Sequence, residues 1–117
     1  MEAIKSYTDI GQSKVLALFL PLKSADMYYD RGGLPSLIDK YVTHKSIKND
    51  EYHHLIPCWS LAALLGVLPR IEGFKPVLDL EINYIQYPSD IGLSVTADNP
   101  VEACYELILK LHKLKKL

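Results

Sequence analysis

The sequence predicts a small α+β domain, in which an antiparallel strand pair is covered by helices. Three stretches indicate this class: an apolar run at residues 57–68, alternating apolar and polar residues at 77–97, and a wide apolar stripe after Asn99 and Pro100. A chain of 117 residues is the size of one domain and can bury a core without disulfides or metal. We therefore expect one domain over residues 1–117.

Composition limits the class of function. Apolar residues at 49% and charged residues at 23% are ordinary globular values. A net charge of −1 gives no general attraction to nucleic acid or to a membrane surface. The two cysteines lie in apolar patterns, which predicts reduced, buried thiols and a cytoplasmic location, and no segment is predicted to cross a membrane.

The N-terminal half predicts two helices and one strand. Thr8 or Asp9 can cap a helix over about residues 9–20, and Gln12 is placed to complete a capping box with Asp9. Residues 24–29 form a possible third strand of the sheet, and a glycine turn follows. Apolar side chains then recur at helical spacing, which predicts a short helix over about 35–43 with Pro35 in its first turn. The polar residues 43–51 are expected to be a loop, and residues 30–52 as a whole to be an inserted excursion.

The apolar run at residues 57–68 predicts the central helix. Pro57 suits the first helical position, and Pro69 ends the helix. Because only Ser60 and Gly66 interrupt the apolar residues, the helix has no polar face and should be buried on all sides.

The C-terminal part predicts a hairpin and a closing helix. Strict alternation indicates strands over about 77–86 and 91–97. Asn99 caps a helix over about 100–115, with Pro100 at its first position and Glu102 near its positive end. A hairpin is not stable alone, so its apolar face should lie on this helix and the central one.

Two segments, IPCWSLAALLGVLP and DNPVEACYELILKLHKL, resemble parts of small uncharacterised proteins from prophages and mobile elements of gut bacteria. The resemblance covers residues 56–117. It implies the order helix, strand pair and closing helix, and a mobile-element origin, but it carries no activity and no functional residue to this chain.

The best enzyme hypothesis combines Cys58 with His53 and His54. At the second position of the central helix, the helix dipole would lower the pKa of the Cys58 thiol, and a histidine could act as its base. The alternative is a small buried thiol. No metal or cofactor is predicted, since the histidines and cysteines lack the close paired spacing of zinc ligands.

The basic end of the last helix suggests weak nucleic-acid binding as a second alternative. Four lysines carry this charge: Lys110, Lys113, Lys115 and Lys116. However, Glu102 and Glu106 stand near the start of the same helix, and the helix dipole favours that arrangement by itself.

We therefore expect a non-catalytic protein-interaction or assembly module, whose partner is another protein or a second copy. The last helix has a wider apolar stripe than one hairpin needs, which predicts a homodimer. The candidate interaction residues are Cys104, Leu107, Leu111 and Leu114.

Overall fold

The computed structural model describes residues 5–117, which form two compact units. Residues 5–6 and 64–117 belong to unit 1, and Tyr7–Ala63 form unit 2. Each unit contains a small antiparallel sheet of three strands beside helices, so the predicted α+β class is confirmed. A single domain with an excursion over residues 30–52 stays a prediction.

Unit 2 contains one sheet, with strand order β2-β1-β3. Its elements are α1 (Ile10–Ala17), β1 (Met27–Tyr29), β2 (Pro35–Leu37), α2 (His44–Lys48) and β3 (Ile56–Cys58). The capping box of Asp9 and Gln12 begins α1 as predicted. The predicted strand at 24–29 is confirmed over Met27–Tyr29, but β1 lies in a different sheet from the C-terminal hairpin.

Two predictions for residues 35–51 are wrong. Residues 35–43 form no helix, because Pro35–Leu37 pair with β1 after a turn in which the Asp30 side chain accepts hydrogen bonds from the Gly32 and Leu34 amides. Proline is tolerated there because β2 is an edge strand. The expected loop at 43–51 contains α2, which begins with a capping box between Thr43 and Ser46.

The predicted central helix is shorter than expected and is not buried all round. Pro57 lies in β3, and α3 covers Leu61–Val67. Ser60 begins α3, since its hydroxyl accepts a hydrogen bond from the Ala63 amide and its own amide donates to Asp26. Leu64 is fully buried, but Gly66 is exposed. One side of α3 therefore faces solvent, although the helix has no polar face.

Unit 1 contains the second sheet, with strand order β4-β5-β6. Its strands are β4 (Val77–Asp79), β5 (Tyr84–Tyr87) and β6 (Asp90–Thr96). The predicted hairpin is confirmed as β5 and β6. The single strand predicted at 77–86 is wrong, because the chain turns between Asp79 and Tyr84; Leu80 and Ile82 in that turn are 64% and 58% exposed.

The long helix α4 (Pro100–Lys113) packs against β5 and β6 and forms the core of unit 1. Asn99 caps it as predicted, accepting a hydrogen bond from the Glu102 amide. Most of its side chains are buried, so α4 has the role that the sequence assigned to residues 57–68. No helix among residues 5–117 is long and apolar enough to cross a membrane.

Candidate interaction site

Cys58 is fully buried in unit 2. It lies in β3 opposite Met27, so it has no helix N-terminus to lower its pKa, and that part of the enzyme hypothesis is wrong. Its sulfur lies 3.4 Å from the Thr8 carbonyl oxygen and 3.7 Å from the Thr8 hydroxyl. Burial raises the pKa of the Cys58 thiol, which keeps it protonated and poorly nucleophilic at neutral pH.

His53 and His54 are exposed, in contrast to Cys58. The loop before β3 is held by Asp50, which accepts a hydrogen bond from the Leu55 amide at 2.6 Å; this contact lowers the pKa of Asp50. Within residues 5–117, no hydrogen bond joins either histidine to the Cys58 sulfur. Cys58 and the two histidines therefore do not form a hydrogen-bonded pair of nucleophile and base in the described residues.

A small, partly open cavity of about 220 Å³ lies near these residues in unit 2. Its lining consists of Ala17, Leu20, Leu22, Ile47, His53, Leu55, Pro57 and Trp59. Trp59 is held in place by a hydrogen bond from its indole nitrogen to the Ser24 hydroxyl at 2.9 Å. The cavity is below the usual range of about 300–1,000 Å³ for small-molecule sites. In the described part of the chain, no cluster of acidic, cysteine and histidine residues could hold a metal ion.

The candidate interaction residues on α4 are mostly covered by the chain itself. Cys104, Leu107 and Leu111 are fully buried, whereas Leu114 is 49% exposed. Burial raises the pKa of the Cys104 thiol to about 12. Of this stripe, only Leu114 offers surface to a partner.

A groove in unit 1, which the sequence did not indicate, runs between β6 and α4. It is open, has a volume of about 600 Å³, and is lined by Ser94, Val95 and Thr96 from the strand and by Glu106, Leu109, Lys110 and Lys113 from the helix. The four helix positions follow the i, i+3, i+4, i+7 spacing of a single face. This face is charged at both ends and apolar at Leu109.

The strand side of the groove carries backbone groups without a partner strand. β6 is an edge of its sheet, and among the described residues its only neighbouring strand is β5. The Ala97 amide donates to the Asn83 carbonyl, and Val95 lies opposite Ile85 in the same register. In an antiparallel ladder, hydrogen-bonded pairs alternate along the strand, so the N–H and C=O of Val95 point toward β5. Those of Ser94 and Thr96 point the other way, along the free edge.

One end of this edge is already occupied. The Lys110 ammonium group donates to the Gly92 carbonyl at 2.6 Å, which satisfies an edge acceptor and holds α4 beside β6. The accessible part of the edge is therefore centred on Val95. The sequence could have suggested only half of this site, through the spacing of Glu106, Lys110 and Lys113, because the edge position of β6 depends on topology.

Comparisons of the chain with protein-family models, with curated proteins and with solved structures found no match.

Proposed function

We propose that the chain is a non-catalytic protein-interaction or assembly module, which adds an extended segment of a partner protein to the free edge of β6. One observation carries the proposal: the outward backbone groups of Ser94 and Thr96 border an open groove beside α4. Strand addition of this kind draws affinity from main-chain hydrogen bonds and specificity from side-chain pockets along the edge.

The remaining lining suits an extended segment. Val95 and Leu109 are half-buried and give an apolar contact for alternate side chains of the partner. Glu106, Lys110 and Lys113 form a charged rim, which would favour partners of matching charge pattern. A mobile-element origin and a cytoplasmic location belong to the same proposal and rest on the sequence alone.

The two alternative functions have less support. Catalysis by Cys58 requires a thiolate and a nearby base, whereas this thiol is buried and its pKa is raised. Nucleic-acid binding by the basic end of α4 requires free cationic groups, but Lys110 already binds the Gly92 carbonyl and Glu106 shares the same face.

Selection from a library of random displayed peptides tests the proposal, with the full chain as bait. We expect enriched peptides to slow the hydrogen exchange of the Ser94 and Thr96 amides. Thr96→Pro should abolish their binding, since proline removes an outward N–H without breaking a ladder bond. Enriched peptides that protect neither amide, or that bind Thr96→Pro normally, would overturn the proposal; so would the absence of any enriched peptide at a bait concentration where the chain is monomeric.

Leu37→Pro is the matched control. The Ile38 amide donates to the Asp26 carbonyl in the register that places Leu37 opposite Met27, so the backbone groups of Leu37 also point outward from an edge strand. This residue belongs to the sheet of unit 2, and the variant should bind selected peptides as the native chain does.

A further inference from the structure

We propose that the segment which fills the β6 groove is β6 of a second copy of this chain, giving a symmetric dimer with one continuous sheet. The inference rests on the proposed function, because it uses the same edge, and it adds the identity of the partner. Two independent features of the groove support it: the hydrogen-bonding phase of the strand, and the order of charges along the helix.

The alternation of inward and outward backbone groups along β6 allows the β6 strands of two copies to pair. In an antiparallel pair of identical strands centred on Val95, Ser94 of one copy faces Thr96 of the other. Both residues have outward N–H and C=O groups, so each such pair exchanges two backbone hydrogen bonds. Val95 faces itself at the two-fold axis without needing a bond, because its own groups are bonded to β5. A self-complementary patch of this kind is what a two-fold interface requires.

The charges along α4 are also self-complementary. The same two-fold axis places the two α4 helices side by side and antiparallel, each with its groove face toward the other. Glu106 then lies near Lys113 of the second copy. Leu109 and Lys110 lie near the centre between these pairs, and the Lys110 ammonium group is bonded to the Gly92 carbonyl of its own chain. A parallel arrangement would instead bring like charges together, so the charge order selects the antiparallel one.

The opposite edge of this sheet, β4, has fewer outward backbone groups that could pair with another strand. Val95 and Ile85 form a hydrogen-bonded pair, so Ile85 directs its backbone groups toward β6. Leu78 lies opposite Ile85 on the other side, and this second pair is therefore not hydrogen-bonded. Leu78 is therefore the one residue of β4 with outward groups. Pro76 precedes the strand and has no N–H to donate.

Sedimentation equilibrium over micromolar to millimolar concentrations tests the inference. We expect a monomer–dimer equilibrium in the native chain. Thr96→Pro should weaken association at least about ten-fold, since it removes a backbone donor from each copy. Leu37→Pro, in the other sheet, should leave the dissociation constant unchanged.

Charge reversal gives a second test that does not depend on proline. Glu106→Lys and Lys113→Glu should each weaken self-association, because each places like charges across the two-fold axis. An equimolar mixture of the two variants should form a heterodimer, since both contacts then regain opposite charges. A structural defect in either variant would not be repaired by mixing.

The outcomes separate this inference from the proposed function. A native chain that stays monomeric while library peptides protect Ser94 and Thr96 would overturn the dimer and leave strand addition in place. A dimer that Thr96→Pro leaves intact, or variants that do not recover on mixing, would also overturn the inference, because the copies would then meet at another surface. Loss of both dimer and peptide binding would refute both proposals.

Discussion

Thr8 contacts Cys58 and two of the polar groups around it. Its hydroxyl lies 2.8 Å from the Ser13 hydroxyl, and its carbonyl oxygen accepts a hydrogen bond from Tyr29 at 2.7 Å. Thr8 and Ser13 are both fully buried. Cys58 thus lies among buried hydroxyl groups, and burial favours its uncharged thiol.

This cluster predicts slow thiol chemistry. In the native chain, Cys58 and Cys104 should react with an aromatic disulfide reagent at neutral pH only through transient opening, whereas both should react at once in denaturant. Absorbance of the released thiolate measures the rates, with a Cys58→Ala variant to assign them. Rapid, stoichiometric modification of native Cys58 would contradict this account and favour the enzyme alternative.

Cys104 should make stability depend on alkaline pH. The unfolded thiol ionises near pH 9, while burial holds the folded pKa at about 12. Between these values the folded state keeps a proton that the unfolded state has lost, so the free energy of unfolding falls as pH rises, by up to about 1.4 kcal/mol per pH unit. Below pH 9 this contribution is fully present.

Urea unfolding from pH 8 to 11 measures the effect against Cys104→Ala as the comparison. The variant should show a shallower loss of stability above pH 9, in addition to a constant offset from the smaller side chain. Parallel curves for the two proteins would show that the Cys104 thiol titrates alike in the folded and unfolded states.

Local sequence signals at helix starts predicted the beginnings of α1 and α4 correctly. Asp9 with Gln12, and Asn99 with Pro100, begin the helices that they were expected to begin. Each signal depends on side chains that bond backbone amides within three residues, so neighbouring sequence is sufficient to recognise it.

The predicted helix starts at Pro35 and Pro57 are wrong for the same physical reason. The sequence pattern places Pro35 and Pro57 in the first turn of a helix, but both lie in edge strands, opposite Tyr29 and Tyr28 of β1. The missing N–H of proline is tolerated equally well at either place. Only the sheet order distinguishes them, and this order depends on residues distant in sequence.

The prediction of a single strand over residues 77–86 is wrong for a different reason. Period two describes side-chain direction, and it cannot show that the backbone reverses between Asp79 and Tyr84. The Asp79 carboxylate accepts a hydrogen bond from the Glu81 amide at 3.0 Å, and Asn83 adopts a left-handed φ of 51°. Asp and Asn at these positions are ordinary turn residues, so this signal was present in the sequence.

Ser60 gives an element-scale prediction. Ser60→Ala should lower the free energy of unfolding by about 1 kcal/mol, because the Ala63 amide loses its cap and Asp26 loses a hydroxyl partner. Ser60→Thr keeps the hydroxyl and should cost clearly less. Urea denaturation of both variants measures this; equal, negligible losses would place the start of α3 elsewhere.

The proposed site arises from the topology of the sheet in unit 1. Sequence patterns predicted β6 and α4 as elements, but they could not show that β6 is an edge strand or that Val95 faces β5. The apolar side chains of Cys104, Leu107 and Leu111 predict an interface from the sequence, but the fold buries them within the chain. The groove combines polar backbone with charged side chains, features that apolar periodicity does not detect.

Residue-resolved amide hydrogen exchange along β6, at a concentration where the chain is monomeric, shows whether the outer edge of this strand is free. We expect a protected Val95 amide between Ser94 and Thr96 amides that exchange nearly as fast as exposed ones. All three should be protected once the edge is filled. Protection of Ser94 and Thr96 at every dilution would show that the edge is covered within a single chain, which leaves no site for strand addition at β6.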